Sequence, residues 1–362
     1  MNPLWTVLDQ AISAYQDSPR AAAYLHDLRD HLDAPLRIAI TGPPGSGRST
    51  LISAIVGDEV TGDVLLDWPG PVELTTTDGD ATVHLLPHPG TPPETDPVTT
   101  VIALSRADEL GGGRPDAVDS ARRVAARHAA TELGTRAQDV VAVAGLVALA
   151  GATLTRDEAA WLVALSRRPE LESLLLSVDR LATVPGAPTI LTRLGLFGVR
   201  LATSLIRRGR TDHLADDLVR ASGIDDLRAA IGRCFVDRAP ALRAHTTLSA
   251  IERVLRAEPR PAVATAVERL RAGTHEPREL RLLADLHTGR LTLGEDEDEA
   301  RRLLGAHGTT PATRLAHSGD PYATLLHWRT LAEDPRLDSH QRRAALVVVR
   351  TCEALVTTGA VH

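Results

Sequence analysis

Apolar positions in residues 4–32 recur with the period of an amphipathic helix or a helix pair, broken near Ser18-Pro19. The period then changes. Leu36-Arg37-Ile38-Ala39-Ile40-Thr41 is a short apolar run ending in a glycine-rich turn, the pattern of a buried parallel strand. Similar runs follow at Val64-Leu65-Leu66, 81–86, 99–104 and 140–143, with helical patterns between several of them, notably 49–56 and 115–131. Strands alternating with helices predict a doubly wound α/β domain with a parallel sheet over residues 35–150. From about residue 152 onward the pattern is helical only. Thr155 with Glu158 three residues on is a capping-box signature, and Ser222-Gly223, Gly273-Thr274 and 305–308 read as breaks. No fixed repeat period emerges, so a solenoid is not expected. Residues 151–362 therefore read as an all-helical, stalk-like bundle, with residues 1–34 packing on it.

Composition refines this outline. A chain of 362 residues suggests two domains at roughly 150 residues each. Hydrophobic residues make up 43% but aromatics only 2%, so the core is built from Leu, Val, Ile and Ala, which leans towards helix. A net charge of -7 argues against a dedicated nucleic-acid binder. All 40 basic residues are arginine. Cys234 and Cys352 stand in unrelated contexts and suggest neither a disulfide framework nor a paired-cysteine metal motif. The start Met1-Asn2-Pro3-Leu4-Trp5 lacks the pattern of a signal peptide. The apolar stretch 140–154 is shorter than the about 20 residues a membrane span needs. These features predict a cytoplasmic protein, with the inner face of the membrane as a peripheral alternative.

The strongest chemical signal is Gly42-Pro43-Pro44-Gly45-Ser46-Gly47-Arg48-Ser49-Thr50, which fits the P-loop pattern everywhere except Arg48. It follows a predicted strand and opens a predicted helix. Backbone N–H groups of such a turn, with the positive end of the helix dipole, cradle phosphates. Ser49 is placed to ligate Mg²⁺. Arg48 replaces a compact ammonium with a wider planar group, so phosphate binding in altered geometry and a blocked γ-phosphate position are both open. Arg48 also fits simple drift in a chain without lysine. The bland reading of the whole stretch is a strand-to-helix turn with no ligand.

Val64-Leu65-Leu66-Asp67-Trp68-Pro69-Gly70 is an apolar run ending in D-x-x-G. In a GTPase the Asp holds Mg²⁺ and the Gly senses the γ-phosphate; alone, the tetrapeptide is often only a turn. Ser105-Arg106-Ala107-Asp108 follows the run 99–104 and fits a guanine motif with Ser for Asn and Arg for Lys. A carboxylate at Asp108 accepts both N1–H and the N2 amine of guanine, a donor pair adenine does not present. The alternative is a solvated loop. Val143-Ala144-Gly145-Leu146 then stands where a small-residue loop meets the base, with Ala144 its candidate contact.

At these residues the chain resembles the GTPase superfamily. It is similar more closely to the actinobacterial dynamin-like GTPases of the isoniazid-inducible type. The resemblance is carried by 37–42, by 104–114 and by 141–146, and continues through 174–180, 193–198 and Ala221-Ser222-Gly223-Ile224. It implies a GTPase head binding GTP or GDP with Mg²⁺, a helical stalk, and membrane remodelling with a sister GTPase or through self-association. The chain departs from that pattern between Ser49 and Asp67, where little room is left for switch I, and after Gly70. The expectation is a trimmed head with slow or absent GTP hydrolysis. Two alternatives stand beside it: a pseudo-GTPase scaffold without turnover, and a P-loop ATPase or kinase.

Three further features have bland readings that weigh more. Arg193, Arg200 and Arg207 recur every seven residues, which suits an anionic membrane surface or the solvated face of a bundle helix. The acidic run 295–299 fits a helix start pairing with Arg301 and Arg302 better than a metal site. His84 and His88 lie four apart on a strand followed by prolines, a spacing that does not converge on a metal.

Overall fold

The computed structural model describes residues 3–88, 90, 93–110, 116–129, 136–273, 275–287, 289–316 and 318–359. Helices Pro3–Ala14 and Pro19–His31 open the chain. A six-stranded sheet follows: β1 Leu36–Thr41, β2 Val64–Asp67, β3 Pro71–Thr75, β4 Ala81–Leu86, β5 Thr100–Leu104 and β6 Asp139–Ala142. The strand order is β2-β3-β1-β4-β5-β6. Four of the five pairings are parallel, and only the edge strand β2 runs antiparallel, against β3. The sheet is thus mostly parallel but mixed, where a parallel sheet was expected.

The strand missing from the sequence expectation is β3. Its Pro71-Val72-Glu73-Leu74-Thr75 alternates cleanly, with Val72 and Leu74 buried. Reading Gly70 as the end of a nucleotide motif hid its other role, closing a hairpin: Trp68 N–H donates to Gly70 O at 3.0 Å. The helix expected over 115–131 forms as Ala117–Ala129; residues 115, 130 and 131 lie outside the described ones.

Both faces of the sheet are covered. Ile38, Ile40, Val83, Leu85, Val101 and Val141 share a core with the helix Arg48–Val56 and with Ile224, Leu227 and Ile231 of the helix Ile224–Cys234. Ile102, Leu104 and Ala142 face the other way, against Val118 and Ala121 of Ala117–Ala129 and the helices that follow. Among the described residues no strand follows β6. The helix Gly145–Ala152 leads into the helical region, where Thr155 and Glu158 form both bonds of a capping box ahead of Arg156–Ser166. The N-terminal helix pair packs on Ala239–Ala257 and Pro261–Gly273 through Leu8, Tyr15, Leu25, Leu248 and Val263. A separate core around Trp328, Leu286, Leu303 and Val348 organises the last helices.

The connection from β3 to β4 has to pass β1, since both strands pair with β1 in parallel on opposite edges. Parallel strands usually need a crossover of about a dozen residues. Here residues 76–80 make it. The chain turns back directly after Thr75, whose Oγ accepts from Thr77 N–H at 3.1 Å, and Asp80 N–H reaches Arg37 O at 2.8 Å. Gly79 passes so close to β1 that a Cβ there would lie 2.6 Å from Arg37 O and 3.0 Å from Ala39 N. Gly79→Ala is therefore expected to destabilise the fold by about 1–3 kcal/mol, as overpacking does. Urea unfolding should show a lower midpoint at an unchanged m-value; an unchanged midpoint would mean the crossover has slack.

Candidate functional site

Three loops leave the carboxyl ends of β1, β5 and β6, and parallel pairing brings them to one edge of the sheet. The first is 42–47. Gly42 sits at φ 144°, and a Cβ on it would meet Leu85 O at 2.8 Å. Ser46 N–H closes the turn on Pro43 O at 3.1 Å. Gly47, in the left-handed region, precedes the helix Arg48–Val56. The first N–H groups of that helix have no acceptor within it and present the positive end of its dipole at this edge.

The second loop follows β5. Ser105 N–H donates to Leu86 O at 2.9 Å, and Ala107 begins the short helix Ala107–Leu110. The Arg106 guanidinium donates to Glu109 Oε1 at 3.1 Å and reaches Gly45 O at 3.4 Å, tying this loop to the first. Burial pushes the Asp108 carboxyl above the ordinary aspartate range, with Glu109 adding to the rise and a backbone hydrogen bond and Arg106 opposing it. The third loop is joined to the second: Val143 N–H donates to Leu104 O at 2.9 Å, and Arg106 and Ala144 form an isolated antiparallel bridge. Gly145 faces the first loop, its Cβ position 3.6 Å from Thr50 Cγ2.

A cavity of about 370 Å³ lies where the three meet, lined by Gly45, Ser46, Gly47 and Thr50, by Ser105, Arg106 and Asp108, and by Gly145 and Leu146. That volume suits a small-molecule ligand. Two hydroxyls on its wall, Ser46 Oγ and Ser105 Oγ, are buried and have no hydrogen-bond partner. A buried hydroxyl left unpaired costs about 1–3 kcal/mol, so two in one cavity mark a place that a polar ligand would complete. Pro43, Pro44, Arg48 and Ser49 are exposed beside the cavity rather than on its wall.

Asp67 and Gly70 are not brought here. Asp67 pairs with Pro71, and Val72 pairs with Leu36 at the start of β1, so the hairpin sits at the amino end of the sheet while Gly42 leaves the carboxyl end. The Mg²⁺ pair expected from sequence, Ser49 with Asp67, is separated by the length of the sheet. Asp67 ends an antiparallel strand, which points its far end the opposite way from a parallel one. Among the described residues no group of three or more His, Cys, Asp and Glu side chains is placed to hold a metal. Sequence reasoning also passed over Glu109, which holds Arg106, and Ser222 and Gly223, which touch the third loop from the helical region. In sequence, Ser222-Gly223 reads only as a break, and 221–224 as one stretch of the family resemblance.

The remaining constellations resolve into structure. His84 Nδ1 lies 2.9 Å from Thr41 Oγ1, and burial lowers its pKa; His88 stands 3.8 Å from Glu109. The acidic run supplies the first turn of Glu297–Leu303, with Glu297 to Arg301 at 2.5 Å and Glu299 to Arg302 at 3.2 Å. Both cysteines are buried and free, their thiols pushed up to about 12 by burial.

The arginine stripe lies on the helix Ala187–Arg207, which is long and apolar enough to cross a membrane by length and composition alone. Much of its apolar face is buried, including Ile190, Leu194, Phe197 and Leu201. The three arginines bind within the protein. Arg193 meets Glu158 at 2.6 Å and Glu59 at 3.0 Å, Arg200 donates to Leu175 O at 2.9 Å, and Arg207 meets Glu172 at 2.7 Å. Arg193→Ala should lower stability by about 1–3 kcal/mol, because partly buried acceptors lose a charged donor. Adsorption to anionic vesicles should not change. The opposite pair of results, unchanged stability with lost adsorption, would return the stripe to a membrane-facing role.

The fold and the cavity together define a mostly parallel α/β sheet with a glycine-rich loop at its carboxyl edge, joined to an extensive helical region. The chain is similar to the isoniazid-induced protein IniC of two strains of Mycobacterium tuberculosis, being 37% identical over 278 residues, which is 70% of this chain and 56% of each relative. This similarity supports kinship with the IniC type of protein, although the chain spans only about half the length of these curated relatives. No family model matches the chain, and no solved structure matches it.

Proposed function

We propose that this protein binds a guanine nucleotide, GTP or GDP, in the cavity between the three loops, with slow or absent hydrolysis. The observation that carries this reading is convergence. Three separated segments, read from sequence as phosphate loop, base loop and small-residue loop, line one cavity that holds two unpaired buried hydroxyls. In this reading the N–H groups around Gly45–Gly47 and the first turn of Arg48–Val56 receive the phosphates. Asp108 accepts the two guanine donors and Gly145 and Leu146 back the base, while Ala144, the contact expected from sequence, is buried and off the cavity wall. Mg²⁺ would meet Ser49 Oγ and the phosphates, with Asp67 taking no part.

Weak catalysis follows from the same geometry. Phosphoryl transfer depends on positioning and charge stabilisation at the γ-phosphate. The crossover 76–80 turns back short of that edge, and the D-x-x-G hairpin is at the other one. The helical region, with a related GTPase or a second copy of this chain as partner, carries the output. A nucleotide can shift that output only by binding two shapes of the protein with different affinity. An ATPase reading is disfavoured by the carboxylate at Asp108.

The test is calorimetric binding of GTP, GDP and ATP. Asp108→Ala should weaken GDP by about 1.5–3 kcal/mol, the range for a hydrogen bond to a charged group. Asp67→Ala should change it less than twofold. A wild type that binds ATP as tightly as GTP would falsify the guanine reading.

The same site predicts a pH dependence. Only ionised Asp108 accepts both guanine donors, and its pKa in the folded protein is raised by burial. Affinity for GDP should therefore be full above that raised pKa and fall as pH drops through it, at a higher pH than for an ordinary aspartate. Asp108→Ala should lose this decline; a wild-type affinity flat down to the ordinary aspartate range would contradict the assignment.

A further inference from the structure

We infer that Ser222 and Gly223, in the helical region, are positioning residues for the base-facing loop 143–146; this rests on the guanine-site reading above. The turn they form lies between the helices Leu214–Ala221 and Ile224–Cys234. Ser222 is fully buried, and its carbonyl accepts the Ala144 N–H at 2.8 Å. That bond takes the backbone donor of the residue read as the base contact, so the height of the loop over the cavity is set from outside the sheet. Ser222 Oγ donates to Val219 O at 2.6 Å and accepts Ile224 N–H at 3.2 Å, which fixes the turn at the start of the second helix.

Gly223 leaves no slack. Its φ is +81°, which disfavours any side chain, and a Cβ there would lie 2.3 Å from Ala142 O, the last residue of β6. No real Cβ approaches a backbone oxygen so closely, so a side chain must push the turn away from the end of β6. The Ala144–Ser222 bond would lengthen and the loop would move. The atoms nearest that Cβ position belong to Ala142 and Val118, not to the glycine loop 42–47. The displacement thus acts first on the base end of the cavity, through the Ala144–Ser222 bond. The Leu214–Ala221 helix also packs on Gly145–Ala152, so the turn is tied to the helix after the loop as well.

The experiment is competitive displacement of a fluorescent GDP by GDP, IDP and ADP, on wild type, Gly223→Ala and Ser222→Ala. IDP lacks the N2 amine, so the GDP-to-IDP ratio reports how well the base is seated. Thermal unfolding of each variant reports whether it folds. Gly223→Ala is expected to lower GDP affinity about tenfold and leave ADP unchanged, so that both selectivity ratios collapse. Ser222→Ala, which loses the cap without a clash, should move the ratios in the same direction by less. A merely structural role would weaken all three nucleotides together, and that outcome overturns the inference. Unchanged ratios in a folded Gly223→Ala also overturn it; if that variant does not fold, unchanged ratios in Ser222→Ala do so. A wild type without preference for GDP over ADP instead removes the guanine reading itself, and the positioning role with it.

Discussion

Parallel pairing of β1, β4, β5 and β6 is the constraint on which the site depends. Because these strands run the same way, the chain leaves β1, β5 and β6 at one edge, and residues far apart in sequence meet there whatever lies between them. Ligands in open α/β sheets gather at that edge for this reason. Gly45 and Arg106 are 61 residues apart and touch. The antiparallel strand β2 shows the same constraint from its other side. Reversing one strand sends its carboxyl end, and Asp67 with it, to the far edge.

The sequence signals that succeeded were those tied to this direction. β1 and β4 were legible to the residue, because buried strands read as unbroken apolar runs. Glycines 42, 45 and 47 were legible because their conformations need glycine. Asp67 misled because D-x-x-G describes a turn as well as a metal ligand, and only pairing decides which edge it reaches. β3 was missed for the same reason: Pro71-Val72-Glu73-Leu74-Thr75 has the alternation of a strand, but it lies directly after a motif that had already been assigned. Ser222 and Gly223 could not be placed, since nothing local to them says that Ala142 O lies against Gly223.

The helical region completes the sheet rather than merely following it. Ile224, Leu227, Ala230 and Ile231 close the apolar face of β1, β4 and β5, and Leu242 and Leu280 join the same core. Arg228 donates to the carbonyls of Ala54 and Ile55 at the end of the helix that starts at the glycine loop, at 3.0 Å each. Arg122 of Ala117–Ala129 and Asp226 of Ile224–Cys234 pair at 2.9 Å and link the helices of the two faces. On the face of β1 and β4 that carries Arg37, Ala39 and Thr82, a cavity of about 620 Å³ opens, walled by residues of Pro19–His31 and Ala239–Ala257. The short crossover 76–80 leaves that face without a helix of its own between β3 and β4, and helices from both ends of the chain stand over it.

This arrangement changes how a nucleotide signal would travel. In a sheet that owned its core, a ligand at the loops would first move a segment next to the γ-phosphate, and a partner would read that segment. Here the β3–β4 connection is too short and too close to Arg37 to swing. The contacts that do reach the loops come from the helical region, through Ser222 on Ala144 and Arg228 on the helix that begins at Arg48. Closely packed contacts transmit strain, so a nucleotide that shifted either contact would act on the helical region directly. The short crossover 76–80 and the tight docking of the helices are then two sides of one arrangement. In the function proposed above, the sheet would supply the binding edge and the helices would carry the response.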